Sequence, residues 1–270
     1  MRVSLENRVC VITGASSGIG RRTALDLASL GARVCAIARR EDRLESLLLE
    51  MGGEEQGHSF HVTDVSSKPS VKSMAKHVSS SYGRLDVLVN NAGFSDHKSL
   101  GAPGGVAALE RVMATNFFGA VHCTAELLSL LVTSAPSSVV NVASIAGRLA
   151  VGGSPSYCAS KFALVGWSEA LQSELGPRGV HVGVVEPGLI PTEGFPQTQV
   201  QTYPVLRNLL GTEAQVSEAI LDTVRRRVFE RTVPRWYYLL QLPRLLAPPL
   251  YRAAERRLIA PRRVRPPDLE

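Results

Sequence analysis

The chain has 270 residues, 44% hydrophobic and 20% charged, which suits one large α/β domain and excludes collagen-like, coiled-coil and low-complexity classes. Its formal charge of +6 is uneven: residues 225–270 hold 12 basic and 4 acidic side chains (+8), residues 1–224 hold 18 and 20 (−2). The basic excess therefore describes the end of the chain, which lacks a recognition fold for nucleic acid, so no nucleic-acid partner is expected.

The first eight residues lead straight into an apolar run, without the apolar stretch and small-residue cleavage site of a secretory signal. No apolar run is expected to cross a bilayer, since Arg244 and several prolines break the most lipophilic region near the end. A cytoplasmic protein is the expectation. Cys10, Cys35, Cys123 and Cys158 are scattered, lack metal-ligand spacing and read as buried free thiols.

In chain order, residues 8–13 (RVCVIT) form a strand candidate that runs into a glycine turn. Residues 18–30 have helical spacing, with Ala24, Leu25, Leu27, Ala28 and Leu30 apolar and Gly31 as the stop. A strand at 34–38, a helix at 44–49 and a strand at 58–62 follow. Residues 68–82 read as a helix entered through Ser66 and Ser67, with Pro69 in its first turn. Then come a strand at 85–90, one continuous helix over 106–133, a strand at 138–143, a helix over 156–175 and a strand at 180–185. The stretch after Gly188, rich in Pro and Gln, has weak periodicity and reads as a mobile loop; a helix over 213–227 succeeds it. Short apolar strands alternating with helices predict a doubly wound parallel sheet of about seven strands, a Rossmann-type α/β fold. The expected divisions are one domain over 1–232, including a substrate loop at 189–211, and a basic extension over 233–270.

The turn reads Thr13-Gly14-Ala15-Ser16-Ser17-Gly18-Ile19-Gly20. Gly14 permits a tight turn, Gly18 lets backbone approach a pyrophosphate, and Gly20 lets helix and strand pack closely. The helix N-terminus adds unpaired N–H groups and a field that favours an anion. A glycine turn that binds nothing is the alternative, and the strand–turn–helix setting argues against it. The second strand ends at Ala38 and is followed by Arg39 and Arg40, with no acid before Glu41. A carboxylate there would hold a free ribose 2′-hydroxyl, whereas arginine pairs with a 2′-phosphate, so NADP(H) is favoured over NAD(H). The other reading, that both arginines merely solvate a helix start, gains nothing from positive charge at a helix N-terminus.

Tyr157 and Lys161 are four residues apart and share one helix face. The ammonium there is expected to lower the phenol's pKa and make it a proton donor and acceptor near neutral pH. Ser144 precedes Tyr157 by 13 residues at a strand end, which suits strand, short loop, then helix. Proton chemistry beside a bound dinucleotide points to hydride transfer.

Together these motifs resemble the short-chain dehydrogenase/reductase family over roughly residues 5–230. They are the 13–20 turn, Asp64-Val65, Asn90-Asn91-Ala92-Gly93, Asn116, Ser144, Tyr157-x-x-x-Lys161 and Pro187-Gly188. The resemblance implies that Tyr157 is the acid–base group, that Lys161 holds the nicotinamide ribose, and that Ser144 bonds the substrate oxygen. It implies that Asn116 positions a water behind Lys161. For the cofactor it implies contacts from Ser16, Ser17, Ile19, Asp64, Val65, Asn91, Ala92, Gly93, Pro187, Gly188, Ile190 and Thr192. The family requires no metal, and His97 and His122 read as surface or satisfied core residues. The long helices over 106–133 and 156–175 resemble the family's dimerisation helices, implying a homodimer or homotetramer. A catalytically silent NADP-binding protein is the rival, disfavoured by the complete Ser-Tyr-Lys set.

Ile190, Phe195, Tyr203, Val205 and Leu206 offer apolar surface without a cationic clamp, which suits a lipophilic ketone, aldehyde or secondary alcohol. From Val233 on, Trp236, Tyr237 and Tyr238 stand among leucines and arginines. This suits either a peripheral membrane segment or a flap on the body, and prolines at 243, 248 and 249 favour the flap.

Overall fold

A computed structural model describes residues 3–150, 152–195 and 210–258, with side chains up to residue 253 in the last stretch. Tyr203, Val205, Leu206 and the segment 261–270 lie outside the described residues, as does most of the expected loop at 189–211.

Seven parallel strands form one sheet, in the order β3-β2-β1-β4-β5-β6-β7. They are β1 Val9–Thr13, β2 Arg33–Ala38, β3 Ser59–Val62, β4 Val87–Asn90, β5 Ser137–Val142, β6 Val180–Pro187 and β7 Glu230–Val233. The helices are α1 Gly18–Ser29, α2 Glu41–Glu50, α3 Lys68–Tyr82, α4 Gly105–Met113, α5 Gly119–Thr133, α6 Pro155–Leu175 and α7 Glu213–Arg226. The inner strands are buried almost throughout because both faces are covered. In β1, Cys10 and Ile12 join the core beneath α1, α2 and α7, whereas Val9 and Val11 join the core beneath α3 and α5. Ser67 caps α3, its hydroxyl accepting from Ser70 N, so the predicted entry holds.

Three expectations need correction. The helix over 106–133 is not continuous α: a π turn, Ala114–Phe118, separates α4 from α5. That stretch, Gly105–Thr133, is also long and apolar enough by length and composition to cross a membrane, contrary to the sequence reading. In this fold it lies on the sheet with Ala108, Val112, Cys123, Leu127 and Leu131 buried. The sequence pattern also located only six of the seven expected strands; in the seventh, ERTV, three of four residues are polar, and β7 is an edge strand.

After β7 the chain forms a 3-10 stretch Arg235–Gln241, then α8 Leu242–Leu246 and α9 Pro248–Leu258, with Pro243 and Pro248 opening the two helices. This extension turns back onto the body. Tyr237 is buried against Gly188, where an added Cβ would overlap its ring. Arg244 lies 5.2 Å from the Phe162 ring centroid and donates to the Arg148 carbonyl.

At the amino ends of the inner strands β1 and β4, Asp86, 2% exposed, holds two strand ends together. It accepts from Arg8 at 2.5 Å, from Arg84 at 2.7 and 3.0 Å, and from Val9 N at 2.9 Å. Burial alone would raise its pKa, but the hydrogen bonds from Arg84, Arg8 and Val9 N outweigh it and hold the carboxyl below its ordinary value. A depressed folded pKa contributes stability that is present above the unfolded pKa and lost as pH falls through the folded one. Asp86→Asn is expected to cost about 2–3 kcal/mol at pH 7 in urea unfolding, with the difference from the parent shrinking towards pH 3. A cost independent of pH would remove the charge from this account.

Candidate active site

One cavity of about 630 Å³ runs along the carboxyl ends of the strands, where the sheet order reverses between β1 and β4. The glycine turn forms one end. Gly14 has φ +67°, and an added Cβ would stand 2.9 Å from Ala92 Cα. Gly20 is packed against the Gly14 carbonyl and the Asn91 amide with no room for a side chain. Asn91 Nδ2 donates to the Thr13 and Gly14 carbonyls at 3.0 and 3.3 Å, fastening the turn to the end of β4. Ser17 is the N-cap residue of α1, yet its hydroxyl makes no capping bond, so the helix start keeps N–H groups for an anion. These features fit a dinucleotide phosphate.

Gly14, Ser16, Ser17, Gly18, Ile19, Arg39, Arg40, Asp64, Val65, Asn91, Ala92 and Gly93 line the cavity, with Pro187, Gly188, Ile190 and Thr192 on the far side. Gly20 stands behind the wall as a packing residue. Asp64 accepts from Ser66 N at 2.9 Å and from Ser66 Oγ at 2.7 Å. Arg40 spans the turn: its guanidinium donates to Ser17 Oγ at 2.8 Å and to Ser16 Oγ at 3.0 Å.

At the other end stand Ser144, Tyr157 and Lys161. The Ser144 hydroxyl donates to the Pro187 carbonyl at 3.2 Å, accepts from Ala146 N at 3.1 Å and bonds the Tyr157 phenol. Lys161, 4% exposed, donates to the Val142 carbonyl at 2.8 Å and lies 5.7 Å from the Tyr157 ring centroid. The expected lowering of the phenol's pKa is corrected here. Burial pushes Tyr157 up to about 12, against the smaller lowering from Ser144, and pushes Lys161 from 10.5 down to about 8. The same burial disfavours both charged forms.

Asn116 occupies the π turn and does not line the cavity. Its Oδ1 accepts from Phe94 N at 3.0 Å, and its Nδ2 donates to the Phe94 carbonyl at 2.9 Å and to Ser160 Oγ at 3.0 Å. Gly93 lies between Asn116 and Lys161: an added Cβ would be 3.2 Å from Asn116 Oδ1 and 3.6 Å from Lys161 Nζ.

Residues 94–105 and 189–211 were expected to wall the substrate site, but three residues of these walls were given no role in the sequence reading. His97, read as a surface or satisfied core residue, lines the cavity and bonds Ser154 through Nδ1 at 2.7 Å. The Ser95 hydroxyl is buried in the wall without a partner among the described residues. Glu193 pairs with Arg40 across 153 positions of sequence. The position of His97, four residues beyond the Asn-Ala-Gly motif, was the one available signal; nothing local marks Glu193.

Lys161 carries a folding consequence. Its folded pKa lies below the unfolded one, so between about pH 8 and 10.5 the unfolded chain binds more protons and stability rises with pH. Below that window the full penalty of a buried ammonium is present. Lys161→Met is therefore expected to stabilise the ligand-free protein at pH 7 by about 1–3 kcal/mol, with the gain shrinking by pH 10. Thermal melts at the two pH values check this, and a lower melting temperature at pH 7 would overturn it.

Comparison with known proteins agrees with this geometry. The short chain dehydrogenase family model matches residues 8–201. The chain is 34% identical over 192 residues to the D-threitol dehydrogenase of Mycolicibacterium smegmatis, covering 70% of this chain and 72% of that protein. It is 33% identical over 224 residues to a 3-oxoacyl-acyl-carrier-protein reductase of Thermotoga maritima, covering 80% and 90%. Among solved structures, ligand-free Thermoplasma acidophilum aldohexose dehydrogenase superposes with a TM-score of 0.73 at 21% identity, covering 86% of this chain and 94% of that one, a likeness of fold. The glycine turn, the switch-point cavity and the Ser-Tyr-Lys wall thus stand in a chain that belongs to the short-chain dehydrogenase/reductase family.

Proposed function

We propose that this protein is an NADP(H)-dependent oxidoreductase that interconverts a lipophilic ketone or aldehyde with its alcohol. The observation that carries the reading is the placement of Tyr157, Ser144 and Lys161 on the wall of the same cavity as the glycine turn. A nicotinamide cofactor held there supplies or accepts hydride at the substrate carbon. Tyr157 gives its phenolic proton to the carbonyl oxygen in reduction and takes it back in oxidation. Ser144 is placed to share a hydrogen bond with that oxygen as charge develops on it. Lys161 binds ribose hydroxyls, and Asn116 acts behind it by holding the Phe94 backbone and Ser160. The relatives' names, a 3-oxoacyl reductase and a polyol dehydrogenase, support carbonyl–alcohol chemistry in both directions.

Arg39 and Arg40 beside the turn, with no carboxylate closing β2, support NADP(H) over NAD(H). Phe94, Leu189, Ile190 and Phe195 in the wall support an apolar substrate. Exposed Val106 and Phe118, on α4 and the π turn, support contact with a second copy through those helices.

Tyr157→Phe is expected to lower turnover by about 10²–10⁴-fold while the NADPH dissociation constant stays within about threefold. The assay is NADPH absorbance with a panel of lipophilic ketones, and undiminished turnover would refute the role. A silent nucleotide-binding protein would show no turnover with any ketone, including in single-turnover oxidation of NADPH.

The outer face of the extension supports one further element of the reading, peripheral contact with anionic lipid. Tyr238, Leu239, Leu245, Leu246 and Leu250 are exposed there, with Arg235 and Arg252 exposed beside them. Full-length protein is expected to float with phosphatidylserine vesicles and to remain behind with phosphatidylcholine vesicles. Leu245→Glu with Leu246→Glu should abolish flotation; flotation unchanged by this pair would remove the segment from the contact.

A further inference from the structure

The four residues Thr192–Phe195 form a fixed strap over the mouth of the cofactor cleft. Thr192 N donates to the Phe195 carbonyl at 3.0 Å and Phe195 N to the Thr192 carbonyl at 3.1 Å, closing the turn on itself. One end leans on the catalytic wall, where the Phe195 ring lies 5.5 Å from that of Tyr157. The other end carries Glu193, whose Oε1 is 2.5 Å from Arg40 Nη1 and whose Oε2 is 3.3 Å from Arg43 Nη1. Arg40 gives its Nε and Nη2 donors to Ser16 and Ser17, in the phosphate turn itself. The carboxylate thus sits on the guanidinium that adjoins the phosphate turn.

We propose that Glu193 is a specificity-determining residue for the cofactor: its carboxylate occupies Arg40 in place of the ribose 2′-phosphate, and a 2′-phosphorylated nucleotide must displace it. The inference rests on the reading of Arg40 as a 2′-phosphate ligand. A phosphate monoester carries nearly two negative charges and three acceptor oxygens. Two such anions cannot share one guanidinium face without repulsion, so the incoming phosphate moves Glu193 off Arg40 and Arg43. A nucleotide with a free 2′-hydroxyl leaves the ion pair intact. Glu193 therefore narrows the margin by which NADP(H) is preferred. Both partners are about half exposed, so the competition is modest, as for a surface ion pair.

The experiment measures dissociation constants of adenosine 2′,5′-bisphosphate and AMP by calorimetry on the full-length protein, which separates the phosphate contact from turnover. Glu193→Gln is expected to tighten the bisphosphate by about two- to fivefold and to leave AMP unchanged. Arg40→Ala should weaken the bisphosphate more than AMP. A Glu193→Gln protein with the parental ratio of the two constants, alongside a reduced preference for the bisphosphate in Arg40→Ala, would overturn the competition and leave the NADP(H) reading standing. A parental ratio in Arg40→Ala would remove Arg40 as the phosphate ligand, and the proposal with it. If Arg39→Ala kept the parental ratio as well, the NADP(H) reading would fall too.

Discussion

The structure depends on the knot between the first and fourth strands. Thr13 Oγ1 donates to the Val89 carbonyl and accepts from Asn91 N and Ala92 N, while the Asn91 amide reaches back to the Thr13 and Gly14 carbonyls. These bonds close the gap where the sheet order reverses and leave no space for side chains at Gly14 or Gly20. The polar groups at a parallel sheet's carboxyl edge cannot all be paired within the sheet. Here they are paired across the switch point, and the cleft opens above them. Nucleotide turn and catalytic wall are two ends of one cavity because both hang from this junction.

Behind the catalytic end lies a second buried polar arrangement. Arg148 bonds Glu186 at 2.7 Å, Glu230 at 2.8 Å and Glu169 at 3.1 Å, so one guanidinium serves three carboxylates. Glu186 is fully buried, and burial together with the Glu230 charge pushes it up to about 7, against the pull of Arg148. It immediately precedes Pro187 and Gly188 in the cavity wall. The Arg148 carbonyl also receives Arg244 from the extension. This cluster joins β6, β7, α6 and the extension at one point, which explains how a segment beyond the sheet comes to bear on the wall of the site.

Most of the sheet was legible because burial on two faces writes itself as short apolar runs, and strands β1, β2, β4, β5 and β6 follow that rule within two residues. The glycine turn and the Tyr157–Lys161 pair were legible because each is local: one needs space at fixed positions, the other one helical turn. Edge strand β7 was not, since a short polar run on an edge looks like loop. The π turn at 114–118 was invisible to helical periodicity, although it is what turns Asn116 towards Phe94 and Ser160. The contacts of Glu193 and His97 were not legible for a different reason. Their partners, Arg40 and Ser154, are distant in sequence, and no local pattern encodes such a meeting.

The electrostatics of Tyr157 and Lys161 bear on the protonation of the ligand-free wall. A phenol held near 12 is protonated at neutral pH, and that is the form needed to donate to a carbonyl. Removing the proton, as alcohol oxidation requires, works against the desolvation that set the value. Lys161 is tied to the Val142 carbonyl and is buried, so its charge has lost solvation as well. The ligand-free wall thus keeps the phenol protonated, and the loss of solvation that does so also weakens the ammonium beside it and is the source of its folding cost.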